Sequence, residues 1–236
     1  MKRITKKKSP LDRAALWENY HHWLYALILP LYLILFFWQE SVLDGSGGYT
    51  AVYLPLDDLI PFCEWMYIPY VLWYPFMGVM GFYLAFTAPK EFKRYMVYIG
   101  ISFLSALLIF ALFHTGQDLR PDIATLGRDN LFTRAIAALY VADTNTNVCP
   151  SLHVVGSLAV VFAVFHNERL RRTVWCPIGS VLIAVSIILS TVFIKQHSVV
   201  DVFVGIPYAF LTYGLIYHLP KAITRVRSAK ARSITG

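Results

Sequence analysis

The stretch Ser190-Thr191-Val192-Phe193-Ile194-Lys195-Gln196-His197-Ser198-Val199-Val200-Asp201 decides how this chain reads. An apolar run ends at Ile194, three polar residues follow, and Asp201 stands at the head of a second apolar run. Ionisable groups at the end of a membrane helix are costly to keep, and by default they mark function. His197 and Asp201 are four residues apart. On a helical turn they share a face, close enough for the carboxylate to hold the imidazole.

Working outward, the composition explains why those runs belong in lipid. Of the 236 residues, 57% are hydrophobic and only 15% charged, where a soluble domain is nearer half apolar and a quarter charged. Mean hydropathy is +0.54. A bilayer core needs about 20 mostly apolar residues per helix. The sequence offers six such runs, at about 23–38, 66–86, 95–113, 152–165, 174–194 and 199–218. The fourth is short, but it carries no charge from Val154 to Phe165 and is open to extension at both ends. The reading is an all-α, polytopic bundle of six transmembrane helices in a single domain over 1–236, with short extracytoplasmic helices. One of these is expected at 132–141, and a short amphipathic piece at 56–62. Asp57, Asp58 and Glu64 in that outer loop read as a solvated acidic face.

The net charge of +7 raises nucleic acid as a partner, but its placement argues against one. All but four of the 21 basic residues fall in the arm 1–16, the loops after the second and fourth runs, and the tail 219–236. Those segments lie on one side of a six-span topology. The other side keeps Arg120, Arg128, Arg134 and Lys195. The positive-inside rule puts both termini in the cytoplasm, with the basic arm and tail against anionic headgroups. No small-residue cleavage site follows the first run, so that helix reads as retained. Three cysteines are too few for a disulfide framework; Cys63 and Cys149 fall on the outer side, with unpaired side chains the favoured reading.

That topology delivers the chemistry to one depth. The third run exits outward toward Arg120, and the fourth starts there with Ser151 and His153. The fifth ends and the sixth begins there, bringing Ser190, Lys195, His197 and Asp201. A neutral imidazole attacks phosphorus to form a phosphohistidine, and Asp201 fixes its tautomer. A second histidine protonates the leaving alkoxide. Phosphoryl oxygens need cations and donors, for which Arg120, Lys195, Ser151 and the amides after Pro150 are available. Two histidines and an aspartate also match a facial metal triad, but adjacent Arg and Lys suit an anion better. A transporter is disfavoured because the middles of the runs lack Asp, Glu, Lys and Arg.

These residues resemble the type 2 phosphatidic acid phosphatase superfamily, which also includes vanadium haloperoxidases and bacterial acid phosphatases. Its pattern has three parts: Lys-x6-Arg-Pro, Pro-Ser-Gly-His and Ser-Arg-x5-His-x3-Asp. Arg120-Pro121 is similar to the end of the first, and Pro150-Ser151-Leu152-His153 to the second. Ser190, His197 and Asp201 match the third at full spacing. The resemblance implies His197 as nucleophile, Asp201 as its orienting partner, His153 as general acid, and Arg120 and Ser151 as phosphate holders, with no metal or organic cofactor. Phe113 stands where the family has Lys, Leu152 replaces Gly, and Thr191 replaces Arg. Lys195-Gln196-His197 looks most like the branch containing inositol phosphorylceramide synthase, whose members move a phospho-head group between lipids; sphingomyelin synthases are more distant.

The expectation is therefore a lipid phosphatase of a bacterial cytoplasmic membrane, with its site on the extracytoplasmic face. The alternative is a phosphotransferase or diester-cleaving enzyme on the same site. A diester carries about one negative charge where a monoester carries about −1.5 to −2, so two absent cations lean toward a diester.

Overall fold

The computed structural model describes Trp17, residues 20–43 and residues 48–219. The basic arm 1–16 lies outside the described residues, as does the tail 219–236 beyond Leu219. A 3-10 turn, His21–Leu27, leads into α1 (Ile28–Leu43). A short α2 (Leu56–Leu59) precedes α3 (Tyr67–Thr87) and α4 (Pro89–Leu112). Then come α5 (Leu131–Ala142), α6 (Leu152–His166), a short α7 (Glu168–Arg172), α8 (Trp175–Phe193) and α9 (Val199–Tyr213). A π-helical turn, Gly214–His218, extends α9.

Among the described residues, five helices are long and apolar enough to cross a membrane. The sequence reading expected six, and the difference falls at 152–165. There α6 has 15 residues, which rise about 22 Å against a hydrocarbon core about 30 Å thick. The chain is an integral membrane protein. Its outer surface carries large exposed apolar side chains, among them Ile34, Phe82, Phe86, Leu112 and Leu182, the burden that lipid rather than water accommodates.

Short as it is, α6 is the axis of the bundle. It packs against α3, α4, α8 and α9, and ten of its 15 residues are buried. Lipid tails are as apolar as the helices, so close packing must supply the association, and small residues permit it. At Gly156 a Cβ would stand 2.5 Å from Met77 Sδ and 2.7 Å from Trp73 Nε1, so only glycine lets α3 approach there. On the other flank, Gly205 of α9 lies where a Cβ would meet Val154 at 3.1 Å.

The loops before α3 and after α4 are sewn together. β1 (Thr50–Ala51) pairs in parallel with β2 (Thr115–Gly116), and Gly116 bridges to Thr146. A capping box at Asn130 starts α5. Asp57 and Glu64 differ from the solvated acidic face read in the sequence: both are buried. Glu64 meets Arg128 at 2.9 Å and accepts from Asn130 at 3.2 Å. Asp57 is tied to α9, as described below. The three cysteines are unpaired.

Candidate active site

The turn between α8 and α9 is fixed before any side chain is considered. Lys195 adopts the left-handed conformation at φ 53°. The Gln196 N–H reaches Thr191 O at 2.9 Å and the Lys195 N–H reaches Val192 O at 3.2 Å, a Schellman closure of α8. The His197 N–H also donates to Thr191 O, at 3.0 Å. One residue later α9 opens with a capping box. The Ser198 hydroxyl accepts from Val200 N–H at 3.1 Å, and Asp201 Oδ2 accepts from Ser198 N–H at 3.0 Å. The same Asp201 oxygen lies 3.1 Å from His197 Nδ1. Asp201 is fully buried. With Nδ1 directed at a carboxylate, Nε2 is the nitrogen left to carry a lone pair outward.

His153 comes from the first turn of α6, and its ring centroid stands 5.7 Å from that of His197. It is held between Tyr70 and Trp73 of α3, at 4.5 and 4.6 Å. Its Nε2 is buried with no hydrogen-bond partner among the described residues. Ser151 is the N-cap of α6 and its amide donates to Asp201 O at 3.3 Å. Its buried hydroxyl likewise has no partner. The first-turn amides of α6 and the positive end of its dipole lie beside this hydroxyl.

The remaining candidates take other positions. Arg120 donates to Tyr140 O at 3.1 Å, Thr144 O at 2.6 Å and Gln196 Oε1 at 3.0 Å, and its guanidinium lies 4.5 Å from the Tyr140 ring centroid. Burial lowers its pKa, yet a guanidinium remains charged in proteins. Lys195 turns toward Asp57, donating to its backbone oxygen at 2.6 Å; burial lowers the ammonium's pKa, against the pull of Asp57 and Asp58. The Ser190 hydroxyl donates to Ile187 O within α8 at 2.6 Å. Phe113, at the family's lysine position, is an exposed C-cap of α4.

Several residues at the site carried no sequence signal. Asp57 receives the Ser198 hydroxyl at 2.7 Å and the Val199 amide at 2.8 Å, placing a carboxylate at the N-terminus of α9. Gln117, wholly buried, donates to Lys195 O at 3.0 Å. Asp143, at the end of α5, accepts from Gln196 Nε2 at 2.5 Å. Burial pushes its carboxyl up, while that hydrogen bond and the His197 and Arg120 charges pull it down. Cys149 is a poor rival nucleophile: burial, then the Asp201 carboxylate, pushes its thiol up to about 12, leaving almost none as thiolate.

Both histidines line the head of a cavity of about 590 Å³. Its head also includes Glu40, Asp143, Asn147 and Gln196. Its body runs between α1, α3 and α4 over side chains such as Phe36, Met77 and Phe103, as far as Trp23 and Phe92.

The PAP2 superfamily model matches residues 76–225, well over half of the chain. The chain belongs to the PAP2 superfamily. Its activity is accordingly of the phosphatase or phosphotransferase type. The matched span contains both histidines, Asp201, Arg120, Ser151, the whole of α4, α6, α8 and α9, and the second half of α3. No curated protein matches the chain, and neither does any solved structure.

Proposed function

We propose that this PAP2 protein transfers a phosphoryl group from a membrane lipid through a phosphohistidine at His197, without a metal. One observation carries the reading: an Asp201-oriented imidazole faces a second histidine at the head of a long apolar cavity. A cavity lined mainly by aliphatic and aromatic side chains suits acyl chains, with the phosphate at the polar end.

In the first step His197 Nε2 attacks phosphorus, and the P–O bond to the lipid alcohol breaks. The alkoxide takes a proton from His153, while Asp201 stabilises the imidazolium form of His197. In the second step His153, now neutral, takes a proton from the acceptor hydroxyl. That oxygen attacks phosphorus and the P–N bond breaks, restoring neutral His197. The Ser151 hydroxyl and the first amides of α6 bind the phosphoryl oxygens, with Arg120 and the Ser190–Lys195 turn as the supporting frame. Water as acceptor makes the protein a lipid phosphatase, and a lipid hydroxyl makes it a phosphotransferase. Exposed Phe113 and helix-bound Thr191, at positions where the family has cations, favour the second reading or a diester substrate.

The proposed topology has six spans, with α6 crossing as a shortened central helix. Both termini are then cytoplasmic, the basic arm and tail meet anionic headgroups, and the histidines open on the extracytoplasmic face. Product analysis on purified protein in liposomes tests the chemistry. Labelled phosphatidate and a labelled phosphodiester lipid are supplied with and without a lipid alcohol. Turnover of either ester, lost by at least about 10⁴-fold in His197→Ala, is the expected result. A His197→Ala protein of undiminished activity rules the mechanism out.

A further inference from the structure

Two glycines of α3 serve no contact between helices. At Gly78 an added Cβ meets nothing within 4 Å, and at Gly81 it meets only Tyr95 Cε1 at 3.6 Å, an ordinary contact. Gly156, by contrast, has no room for one. Glycine is a poor helix former, so this pair weakens α3 without bringing a neighbouring helix closer. What the two leave is a bare strip of wall, because both line the cavity below the histidines. They stand eight and eleven residues along α3 from Tyr70, which stacks on His153. At 1.5 Å per residue, that puts them about 12 and 16 Å from the catalytic end.

A second observation is independent of the glycines: the cavity is open to the side. α1 packs along α4 and scarcely touches α3, and its inner face borders the cavity instead. Leu33 and Phe37 of α1, with Tyr74 and Phe82 of α3, line the cavity and are also between 48 and 63% exposed. Side chains that are wall and outer surface at once mark a slit between α1 and α3, facing the hydrocarbon of a bilayer. Beyond the glycines the cavity continues to Trp23 and Phe92. Phe92 stands in the first turn of α4, at the end of the bundle remote from the histidines.

We propose that a hydrocarbon chain of the substrate lipid enters sideways between α1 and α3, and that Gly78 and Gly81 determine specificity by leaving it room to pass toward Trp23 and Phe92. The inference rests on the phosphoryl-transfer reading and adds which lipids are chosen: those with a chain long enough to run past the glycines. Continuity argues for this occupant, since a lipid whose phosphate lies at the histidines has its tail beside the slit. The arm 1–16 carries six Lys and Arg residues and is too charged for a wall of aliphatic and aromatic side chains. In the bilayer the lipid chain is already out of water, so it gains from close packing and not from dehydration. A side chain added to the bare strip therefore acts by exclusion at its own depth, and a chain too short to reach it is spared.

The full chain in mixed micelles is given octanoyl and octadecanoyl lipids with matched heads, as phosphatidate and as a glycerol phosphodiester, with and without a lipid alcohol. The readout is the ratio of kcat/KM for the long chain to that for the short one. The unaltered protein should favour the long chain by at least about tenfold, and Gly81→Leu should shrink the ratio by about tenfold or more. Gly179→Leu is the control. An added Cβ there also meets nothing within 4 Å, but Gly179 lies on α8 outside the cavity, and the ratio should not move. An unaltered protein indifferent to chain length, a ratio that Gly81→Leu leaves intact, or an equal shrinkage in Gly179→Leu overturns the inference while phosphoryl transfer stands. Labelling reads the tail without turnover. A lipid with a diazirine at the end of its octadecanoyl chain should label Tyr95 or Ile99, which line the cavity and are each 1% exposed. The label should persist in His197→Ala and be lost in Gly81→Leu. Label confined to outward side chains such as Phe86 and Leu112 overturns the inference. No turnover of any lipid removes the phosphoryl-transfer reading, and the labelling then decides the chain site by itself.

Discussion

His197 and His153 are equally buried, each 8% exposed, and they are held by opposite means. His197 sits in a turn where the chain direction, the capping box and the carboxylate are all set by hydrogen bonds. Asp57 clamps the start of α9 from the far side. His153 sits in the seam between α3 and α6, gripped by aromatic faces, with Nε2 unpartnered. A nucleophile gains from one fixed tautomer and one fixed direction. A proton carrier must change protonation state in every turnover, and a strong hydrogen-bond partner at its working nitrogen would oppose that change. In the proposed mechanism the two regions divide the chemistry by how they restrain two identical side chains.

The division breaks most severely at Asp201. Asp201→Asn retains an acceptor for the Ser198 amide, so the capping geometry survives, while the tautomer of His197 is no longer fixed. Turnover should fall by about 10³–10⁴-fold, with the helical circular dichroism of the purified protein unchanged. A fall of less than tenfold would mean that the carboxylate serves the turn and not the ring.

His153→Ala should cost about 10²–10⁴-fold on a lipid ester. The sharper test is the leaving group. A nitrophenyl phosphate ester leaves without a proton, so the first step should recover most of its rate in this variant, and labelled phosphoenzyme should accumulate in alkali-quenched samples. A general acid must be protonated, so kcat for the lipid falls as pH rises through its titration. That limb should vanish in His153→Ala. His197→Ala should show no rescue and no label. Equal losses on both esters would contradict the division of labour.

The aromatic seam is tested at Gly156. A side chain there meets Met77 Sδ and the Trp73 indole, displacing the ring that holds His153. Gly156→Val should cost about 1–3 kcal/mol of stability through overpacking. It should also lower kcat more than the nucleophile's labelling by good leaving groups, because the strain reaches His153 and not the α8–α9 turn.

The hydropathy of the chain made the bundle legible, since apolar runs and loop charge follow directly from the solvent they meet. It offered six spans where five helices among the described residues are long enough, because a helix buried among helices is as apolar as one in lipid, and only its length of 15 residues separates α6 from the others. The pairing of His197 and Asp201 was readable because only four residues separate them, although His197 stands in the turn ahead of α9 and meets Asp201 through the capping box rather than along a helix face. Asp57, Gln117 and Asp143 were not. Each acts at a sequence distance of 50 residues or more on the α8–α9 turn, and nothing local distinguishes a clamp from a solvated loop acid. The direction of Lys195 was not readable for the same reason: its chain position two residues before His197 says nothing about where the side chain of a left-handed residue turns, here to Asp57 O.

Lys195 also supplies the smallest effect. Its ammonium donates to Asp57 O, so Lys195→Met removes a buried, charge-assisted bond between the loop before α3 and the α8–α9 turn while keeping the stem. The expected cost is about 1.5–3 kcal/mol of stability, seen as a lower unfolding midpoint in detergent. Turnover at permissive temperature should stay within about threefold, since the Schellman bonds and Gln117 still fix the backbone that carries His197. Lys195→Gly relaxes the left-handed backbone but loses the clamp, and should sit close to Met in activity. A loss of 100-fold or so in either, with the unfolding midpoint unmoved, would restore Lys195 to the phosphoryl group and erase the distinction between a turn that positions and a cavity head that binds.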